Sequence, residues 1–141
     1  MKTLVVMNEK GGVGKTNIAA HAGWYFAERF RTLVIDLDAQ ANLTGTLGAF
    51  LSPVESVDLF AEPTQVPPVG DLTVARSTRD LMGVEGAGRE CIEIFRDSIV
   101  SMADDYDVCV IDTPPSLGLL TINALTASDS VIVPVQCEYL S

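Results

Sequence analysis

Five short runs of apolar residues recur along the chain, each nearly continuous and rich in β-branched side chains. Such runs are typical of strands that are buried on both faces of a parallel sheet, because a strand with one wet face would alternate apolar and polar residues. The predicted strands are residues 3–8, 32–38, 72–75, 107–113 and 130–135.

Three helical patterns lie between these strands. Residues 15–30 carry an apolar residue at every fourth position, which predicts an amphipathic crossover helix. A second apolar stripe covers 91–102, and a third, shorter one covers 118–128. Strands that alternate with helices in this way predict a doubly wound α/β fold with a mostly parallel sheet.

The length and composition indicate one domain over residues 1–141. A chain of 141 residues, 48% of them hydrophobic, is long enough to bury roughly 68% of its unfolded surface in a single core. Four prolines interrupt any period over residues 52–70, so this stretch is predicted to be a surface excursion.

Charge and cysteine content narrow the possible partners and compartment. Nineteen acidic residues against nine scattered basic ones give a net charge of -10, which argues against nucleic-acid binding by this chain alone. Three cysteines without CxxC spacing favour reduced, buried thiols at Cys91, Cys109 and Cys137. No apolar run reaches the ~20 residues of a membrane span, so a cytoplasmic protein without a membrane partner is expected.

The stretch "MNEKGGVGKTN" (7–17) joins the first predicted strand to the first predicted helix. Backbone N–H groups at a helix N-terminus bind anions, and glycines allow close approach to a phosphate. Lys15 is expected to reach the β- and γ-phosphates of a nucleotide, and the Thr16 hydroxyl to ligate Mg²⁺. The predicted nucleotide-binding residues are Lys10, Gly11, Gly12, Val13, Gly14, Lys15, Thr16 and Asn17.

A dinucleotide-binding loop is the alternative interpretation of the same stretch. Gly12 and Gly14 begin its glycine pattern, and Asp36 lies near the spacing of a ribose-binding acid. However, Asn17 stands where the third glycine belongs, and a Lys-Thr pair has no role in such a site. A phosphate loop therefore fits these residues better.

The heptapeptide "KGGVGKT" resembles the deviant Walker A box of the ParA, MinD and nitrogenase iron protein superfamily, the SIMIBI class of P-loop NTPases. The strict phosphate-loop pattern has glycine at position 9, where this chain has Glu9, and the early lysine is the signature of the deviant box. The resemblance implies that Lys10 reaches across a dimer interface to the partner's nucleotide. There it would act as a catalytic cation, as arginine fingers do in other phosphoryl-transfer enzymes.

The stretch "VIDLDAQANLT" (34–44) places two aspartates at the carboxyl end of the second predicted strand, where ligands bind in open parallel sheets. Asp36 and Asp38 would point to opposite faces of a continuing strand, so both reach a ligand only if the chain turns at Asp38. The stretch resembles the DxDxQxN box of ParA-type ATPases, with Ala39 where proline is common. That resemblance implies that Asp38 orients the attacking water and that Asp36 supports the Mg²⁺ shell.

The longest resemblance is "VCVIDTPPSLGLLTINALTASDSVIVPVQCEYL" (108–140). Asp112 closes an apolar strand, the position from which a Walker B acid holds Mg²⁺. "DTPPSLG" is similar to the family's switch segment, in which Pro114 and Pro115 would stiffen a loop near the γ-phosphate. ParA proteins continue beyond such a segment, so the chain is expected to be the N-terminal portion of a longer fold or a short form of it.

The resemblance as a whole implies a ParA-type ATPase of plasmid or chromosome partition. Its expected cofactors are ATP and Mg²⁺, and its expected partners are a second copy in an ATP-dependent homodimer and a ParB-like protein that stimulates hydrolysis. Non-specific DNA binding, and with it association with the nucleoid, would need a C-terminal part beyond this sequence. Two alternatives remain: a synthetase related to cobyrinic acid a,c-diamide synthase, and a non-catalytic nucleotide-binding module.

Overall fold

The computed structural model describes residues 1–12 and 14–138, so Val13 of the predicted phosphate loop, residues 139 and 140 of the last resemblance and residue 141 lie outside the described residues. The described part contains one six-stranded sheet with helices on its two faces. In chain order the elements are β1 (Lys2–Val6), α1 (Lys15–Ala27), β2 (Thr32–Asp36), α2 (Asn42–Thr46), β3 (Leu51–Glu55), β4 (Leu72–Arg76), α3 (Glu90–Ser101), β5 (Val108–Asp112), α4 (Leu119–Thr126) and β6 (Ser130–Ile132).

The strands lie in the order β3-β4-β2-β5-β1-β6, and every pair of neighbours is parallel. β5 therefore returns to lie between β1 and β2, which confirms the doubly wound α/β fold. In this register Asp112 lies beside Asp36 on one side and beside Val6 on the other. The carboxyl ends of β1, β2 and β5 thus meet at one edge of the sheet, where such folds bind ligands.

Each central strand contributes to two separate cores. In β2, Leu33 and Ile35 pack in the core under α3 and α4, whereas Val34 packs in the core under α1 and α2. β5 alternates in the same way, with Cys109 and Val110 on opposite faces. Burial on both faces is the reason that these strands are nearly continuous apolar runs.

Most predicted elements are shorter in the structure, and the difference is largest for the first helix, the third helix and the last strand. The first helix ends at Ala27, and Phe30 lies beyond it with 45% of its surface exposed. The third helix covers Leu119–Thr126, and β6 is only Ser130–Ile132, with all three residues exposed. The expectation that every predicted strand is buried on both faces is therefore wrong for β6. Among the described residues, no helix combines the length and the apolar character needed to cross a bilayer.

The prediction of a surface excursion over 52–70 is wrong for much of that stretch. β3 forms the edge of the sheet, and Pro53 is accommodated there because an edge strand has one side without ladder hydrogen bonds. A 3₁₀ helix follows over Ser56–Phe60, and its Phe60 ring stacks on Phe95 with ring centroids 4.6 Å apart. Proline disrupts the periodicity of a sequence without preventing burial of the apolar residues around it.

Two of the three cysteines are buried thiols, as expected. Cys91 and Cys109 lie in the core under α3 and α4, and burial raises the pKa of Cys109 far above its usual range. Cys137 is exposed, so the expectation that it is a buried residue is wrong. It follows β6, where the chain has left the sheet, and it belongs to neither of the two cores of the described residues.

Three aspartates precede β5, at positions 104, 105 and 107, and one of them, Asp107, is paired with Arg31. The Asp107 carboxylate accepts hydrogen bonds from the Arg31 backbone N–H at 2.9 Å, from Nε at 3.2 Å and from Nη2 at 2.9 Å. The side-chain hydrogen bond from Arg31 is the main reason that the pKa of Asp107 falls to about 2. This contact ties the start of β2 to the start of β5, at the end of the sheet opposite the predicted site.

Replacing Asp107 with asparagine removes the carboxylate that Arg31 stabilises. The pKa of Asp107 is about 2 in the folded protein, against about 3.9 in an unfolded chain, so its contribution is present above about pH 4 and is lost as the pH falls toward 2. We expect Asp107→Asn to lower the urea midpoint of unfolding near neutral pH and to weaken the decline of that midpoint between about pH 4 and pH 2.

The matched control for that measurement is Asp104→Asn, since the Asp104 side chain is exposed and makes no hydrogen bond within the described residues. This variant should follow the wild-type pH profile. If the urea midpoint falls equally with decreasing pH in the wild type and in Asp107→Asn, the Arg31 contact contributes nothing to acid sensitivity.

Candidate functional site

The loop between β1 and α1 has the backbone of an anion-binding turn. Gly12 and Gly14 adopt φ angles of 75° and 90°, a region in which other residues are strained. Gly14 is also the N-cap of α1, and its carbonyl accepts the Ile18 N–H at 3.0 Å. The first amides of α1 remain free to meet a negative charge, together with the positive end of the helix dipole.

A cleft of about 540 Å³ opens over this loop. Its lining comes from the loop and the start of α1, from the turn after β2, from α2 and from the start of the segment after β5. The described lining residues are Gly11, Gly12, Gly14, Lys15, Thr16, Asn17, Asp38, Gln40, Asn42, Thr46 and Pro115. Most of the residues predicted from the glycine-rich loop therefore share one cavity with the predicted water-orienting Asp38.

Thr16 connects the loop to the end of β5. Its hydroxyl donates a hydrogen bond to Asp112 Oδ2 at 2.9 Å. Asp112 is only 1% exposed, and its other oxygen, Oδ1, has no hydrogen-bond partner among the described residues. Burial raises the pKa of Asp112 to about 7, although the Thr16 hydrogen bond and the charge of Lys15 oppose that rise.

This arrangement fits a bound divalent cation. A buried carboxylate oxygen without a partner is costly, and nearby Asp36 and Asp38 add negative charge that also raises the pKa of Asp112. A hydroxyl and carboxylate oxygens are hard donors of the kind that Mg²⁺ takes together with water and phosphate oxygens. Thr16 and Asp112 are therefore suited to hold Mg²⁺ beside a nucleotide.

Asp36 occupies a different environment from Asp112. It is fully buried, and its Oδ2 accepts the Thr44 N–H at 2.9 Å and the Thr44 hydroxyl at 2.7 Å. Its Oδ1 accepts the N–H of Asp38 at 3.1 Å. Burial raises the pKa of Asp36, and these hydrogen bonds oppose the rise. Both oxygens of Asp36 thus bind groups of the protein itself.

The chain turns at Asp38, as its predicted role requires. β2 ends at Asp36, and the next N–H, that of Leu37, donates to the carbonyl of Asp112 at 2.9 Å. Asp38 then lines the cleft, half-buried, with Oδ1 accepting the Gln40 N–H at 3.0 Å. The turn is closed by Ala41, whose φ of 56° is the one positive value among the non-glycine residues described.

Lys10 is exposed and lies outside the described lining of its own cleft. Its ammonium forms an ion pair with Glu138, and the two side chains are 54% and 65% exposed. Lys10 is not among the described residues that line the cleft, although Gly11 and Gly12 are. Glu9 is also exposed and is not among the described residues that line the cleft.

The segment after β6 lies against the phosphate loop. The Gln136 side chain donates to the carbonyl of Gly12 at 3.3 Å, and the Pro134 carbonyl accepts a hydrogen bond from the Asn8 side chain. Together with the Lys10–Glu138 pair, these contacts hold the segment beside the phosphate loop. The paired residues are 124 to 128 positions apart in the sequence.

Several residues of the site were not singled out by the sequence analysis. Gln40 and Asn42 belong to the DxDxQxN box, so their signal was present although no role was assigned to them. Thr46 lies in α2, two residues beyond the quoted box, and had no signal of its own. Ser77 contacts the turn after β2 from 39 positions away in the sequence, a contact that no local pattern predicts.

A family model described as an AAA domain, AAA_31, matches residues 1–141. The chain is 41% identical over 152 residues to the sporulation initiation inhibitor protein Soj of Bacillus subtilis, covering 98% of this chain and 59% of Soj. It is 40% identical over 154 residues to the chromosome partitioning protein ParA of Myxococcus xanthus, covering 98% of this chain and 53% of that protein. The chain thus spans somewhat more than half the length of these relatives.

Solved structures show the same fold. Cobyrinic acid a,c-diamide synthase from Mycobacterium smegmatis with a bound ATP analogue and magnesium has a TM-score of 0.82 and 35% identity, over 99% of this chain and 62% of that one. A plasmid partition protein from Borrelia burgdorferi has a TM-score of 0.85 and 25% identity, over 97% of this chain and 66% of that one. The chain belongs to the AAA_31 family and, with it, to the ParA/MinD superfamily of P-loop ATPases.

Proposed function

We propose that this protein is a Mg²⁺-dependent ATPase of the partition type. The observation that carries the proposal is the contact between Thr16 and Asp112, 2.9 Å long, which joins the phosphate loop to a buried carboxylate with one oxygen unpartnered. A purely structural carboxylate at this depth would have hydrogen-bond donors on both oxygens, as Asp36 has. Similarity to relatives named as partition ATPases supports the cellular role.

ATP is proposed to lie in the cleft with its phosphates on the loop. Lys15 is 7% exposed, and its position in the lining suits an interaction with the β- and γ-phosphates. The free amides at the start of α1 and those around Gly12 and Gly14 would bind the remaining phosphate oxygens. The proposed phosphate-binding loop is the same loop that resembles the deviant Walker A box, of which Lys10 is the signature residue.

Mg²⁺ is proposed to be held by Thr16 and Asp112, and when bound it would neutralise charge on the phosphates. Asp36 would support this site from behind, since it lies in register with Asp112 while its oxygens bind Thr44 and Asp38. Asp38 lines the cleft on the side of the turn and is proposed to orient the attacking water.

Lys10 is proposed to act in trans, in a homodimer that forms on Mg²⁺ and ATP. Its exposed position outside the described lining of its own cleft supports this role, because a cation that serves the partner's nucleotide must be accessible at the surface. A ParB-like protein is the proposed stimulator of hydrolysis. No binding to non-specific DNA is proposed for this chain, because its net charge is -10.

A synthetase function is the second candidate, favoured by the similarity to the structure named cobyrinic acid a,c-diamide synthase. Such an enzyme couples ATP cleavage to amide formation and needs a pocket for a carboxylate substrate. ATP hydrolysis that proceeds without any carboxylate acceptor would favour the partition type. Binding of ATP without turnover under all conditions would favour a non-catalytic module.

Lys15→Ala should weaken the binding of Mg·ATP. Loss of one hydrogen-bonded charge pair costs about 2 kcal/mol, or roughly 30-fold in the dissociation constant. Isothermal titration calorimetry measures this change directly, and Lys2→Ala, at the exposed start of β1, is the matched control. Equal affinities in Lys15→Ala and the wild type would rule out the phosphate-loop assignment.

Asp112→Asn should change the pH dependence of stability in the absence of metal. With a pKa of about 7 in the folded protein, against about 3.9 when unfolded, Asp112 contributes stability below about pH 4 that is lost as the pH rises through 7. The variant should lack this decline when unfolding is followed in EDTA.

The same variant should also lose the extra thermal stability that Mg²⁺ with ADP gives the wild type near pH 8. Asp104→Asn should behave as the wild type in both measurements. Stabilisation by Mg²⁺ and ADP that survives in Asp112→Asn would place the metal elsewhere.

Lys10→Ala and Asp38→Ala should each abolish ATP hydrolysis while leaving Lys15 and the loop able to bind ATP. Trans-acting cations in comparable sites are worth roughly 10³ to 10⁵ in rate. When the two variants are mixed, the site of the Lys10→Ala subunit keeps its own Asp38 and receives Lys10 from its partner. Turnover should therefore reappear at up to about half of the sites in mixed dimers.

Analytical ultracentrifugation with Mg²⁺ and an ATP analogue gives the dimer population for that experiment. Mixed dimers without any recovered turnover would show that Lys10 acts in cis or only structurally. A wild-type chain that hydrolyses ATP while it stays monomeric would contradict the proposal that hydrolysis requires a dimer.

A further inference from the structure

Four residues form a closed ring of hydrogen bonds behind the cleft. Asp36 Oδ1 accepts the N–H of Asp38 at 3.1 Å, and Asp36 Oδ2 accepts the hydroxyl of Thr44 at 2.7 Å. The same Thr44 oxygen accepts the N–H of Ser77 at 2.9 Å. The Ser77 hydroxyl then donates to the carbonyl of Asp38 at 2.6 Å and so completes the ring.

The ring fixes the backbone of Asp38 on both sides. Its N–H is held by the buried carboxylate of Asp36, and its carbonyl is held by Ser77, which is 5% exposed and directly follows β4. β4 pairs with β2 in the sheet, so the support for the turn comes from the rigid strand adjacent to the one that the turn leaves. The Asp38 side chain remains outside the ring and lines the cleft.

The turn needs such support because its conformation is strained. Ala41 has a φ of 56°, and its N–H donates to the same Asp38 carbonyl at 2.8 Å that accepts the Ser77 hydroxyl. A non-glycine residue in this region is retained only where surrounding contacts determine the backbone. Loss of either hydroxyl would therefore allow the turn, and Asp38 with it, to shift.

We propose that Ser77 and Thr44 are positioning residues that hold Asp38 at the angle needed to orient the attacking water. The inference rests on the proposed function, since Asp38 needs an exact position only if ATP is hydrolysed in this cleft. Neither Thr44 nor Ser77 is among the described residues that line the cleft. Their hydroxyls therefore act on Asp38 through the backbone of the turn. A displacement of about 1 Å at a catalytic group can cost about 10²-fold in rate.

The test compares Ser77→Ala and Thr44→Val in the 141-residue chain. Each variant removes one hydroxyl of the ring and leaves Lys15, Thr16 and Asp112 unchanged. We expect kcat for ATP hydrolysis to fall roughly 10- to 100-fold, while KM and the dissociation constant of Mg·ATP stay within about twofold. Thr44→Ser keeps the hydroxyl and should restore most of the wild-type kcat.

The matched control is Ser98→Ala. Ser98 is a buried serine of α3 whose hydroxyl donates to the Leu59 carbonyl at 3.1 Å, remote from the cleft. Its loss should cost stability, as the loss of Ser77 does, and leave kcat at the wild-type value. A kcat reduced equally in Ser98→Ala would mean that lost stability explains the effect, and it would overturn the proposal.

A second measurement is independent of turnover. Amide hydrogen exchange followed by NMR should show the Asp38 N–H exchanging at least about 10-fold faster in Ser77→Ala and in Thr44→Val. The exchange of Ile35 in β2 should remain unchanged, and Thr44→Ser and Ser98→Ala should both match the wild type at Asp38. Unchanged exchange at Asp38 in both hydroxyl-deletion variants would overturn the proposal, whatever the kinetics.

The two measurements also separate this proposal from the function on which it rests. A wild-type chain that fails to bind Mg·ATP contradicts the proposed function. A wild-type chain that binds Mg·ATP, with variants that keep both kcat and slow exchange at Asp38, contradicts only the role of Ser77 and Thr44. If the wild type binds Mg·ATP but hydrolyses it too slowly to measure, amide hydrogen exchange at Asp38 alone decides whether Ser77 and Thr44 have the proposed role.

Discussion

The parallel pairing of β5 with both β1 and β2 is the constraint on which the site depends. Because all three strands run in the same direction, their carboxyl ends lie at one edge, and Asp112 comes into register with both Asp36 and Val6. The phosphate loop leaves β1 at this edge, so Thr16 at the start of α1 meets Asp112. Thr16, which follows β1, and Asp38, which follows β2, therefore line one cleft.

Two buried carboxylates lie at the same edge of the sheet, and the protein supplies them with different numbers of hydrogen-bond donors. Asp36 has hydrogen-bond donors on both oxygens, whereas Asp112 keeps one oxygen unpartnered, and burial raises the pKa of its carboxyl to about 7. Two carboxylates in register thus have different tasks: Asp36 organises the turn after β2, and Asp112 remains available to a cation. This division assigns the stability of the site and its proposed chemistry to separate side chains.

Much of the fold and part of the site could be predicted because their signals are local. Strands buried on both faces are continuous apolar runs, and a glycine-rich loop followed by Lys15 and Thr16 marks a phosphate site through residue types and spacing alone. Prediction was wrong where a residue's environment depends on distant elements. β3 was missed because Pro53 is tolerated only at an edge, and the exposure of Cys137 depends on where the sheet ends.

By itself the sequence determined the order of most strands and helices, the position of the glycine-rich loop between the first strand and the first helix, and the acidic residues available at the strand ends. Only the tertiary structure decided which carboxylate oxygens of these acids lack a hydrogen-bond partner. It also decided that Lys10 pairs with Glu138 and that Ser77 supports the turn at Asp38. The physical reason is that helix and strand periodicity are properties of neighbouring residues. The hydrogen-bond partners of a buried carboxylate instead come from strands that are distant in sequence and adjacent in the sheet.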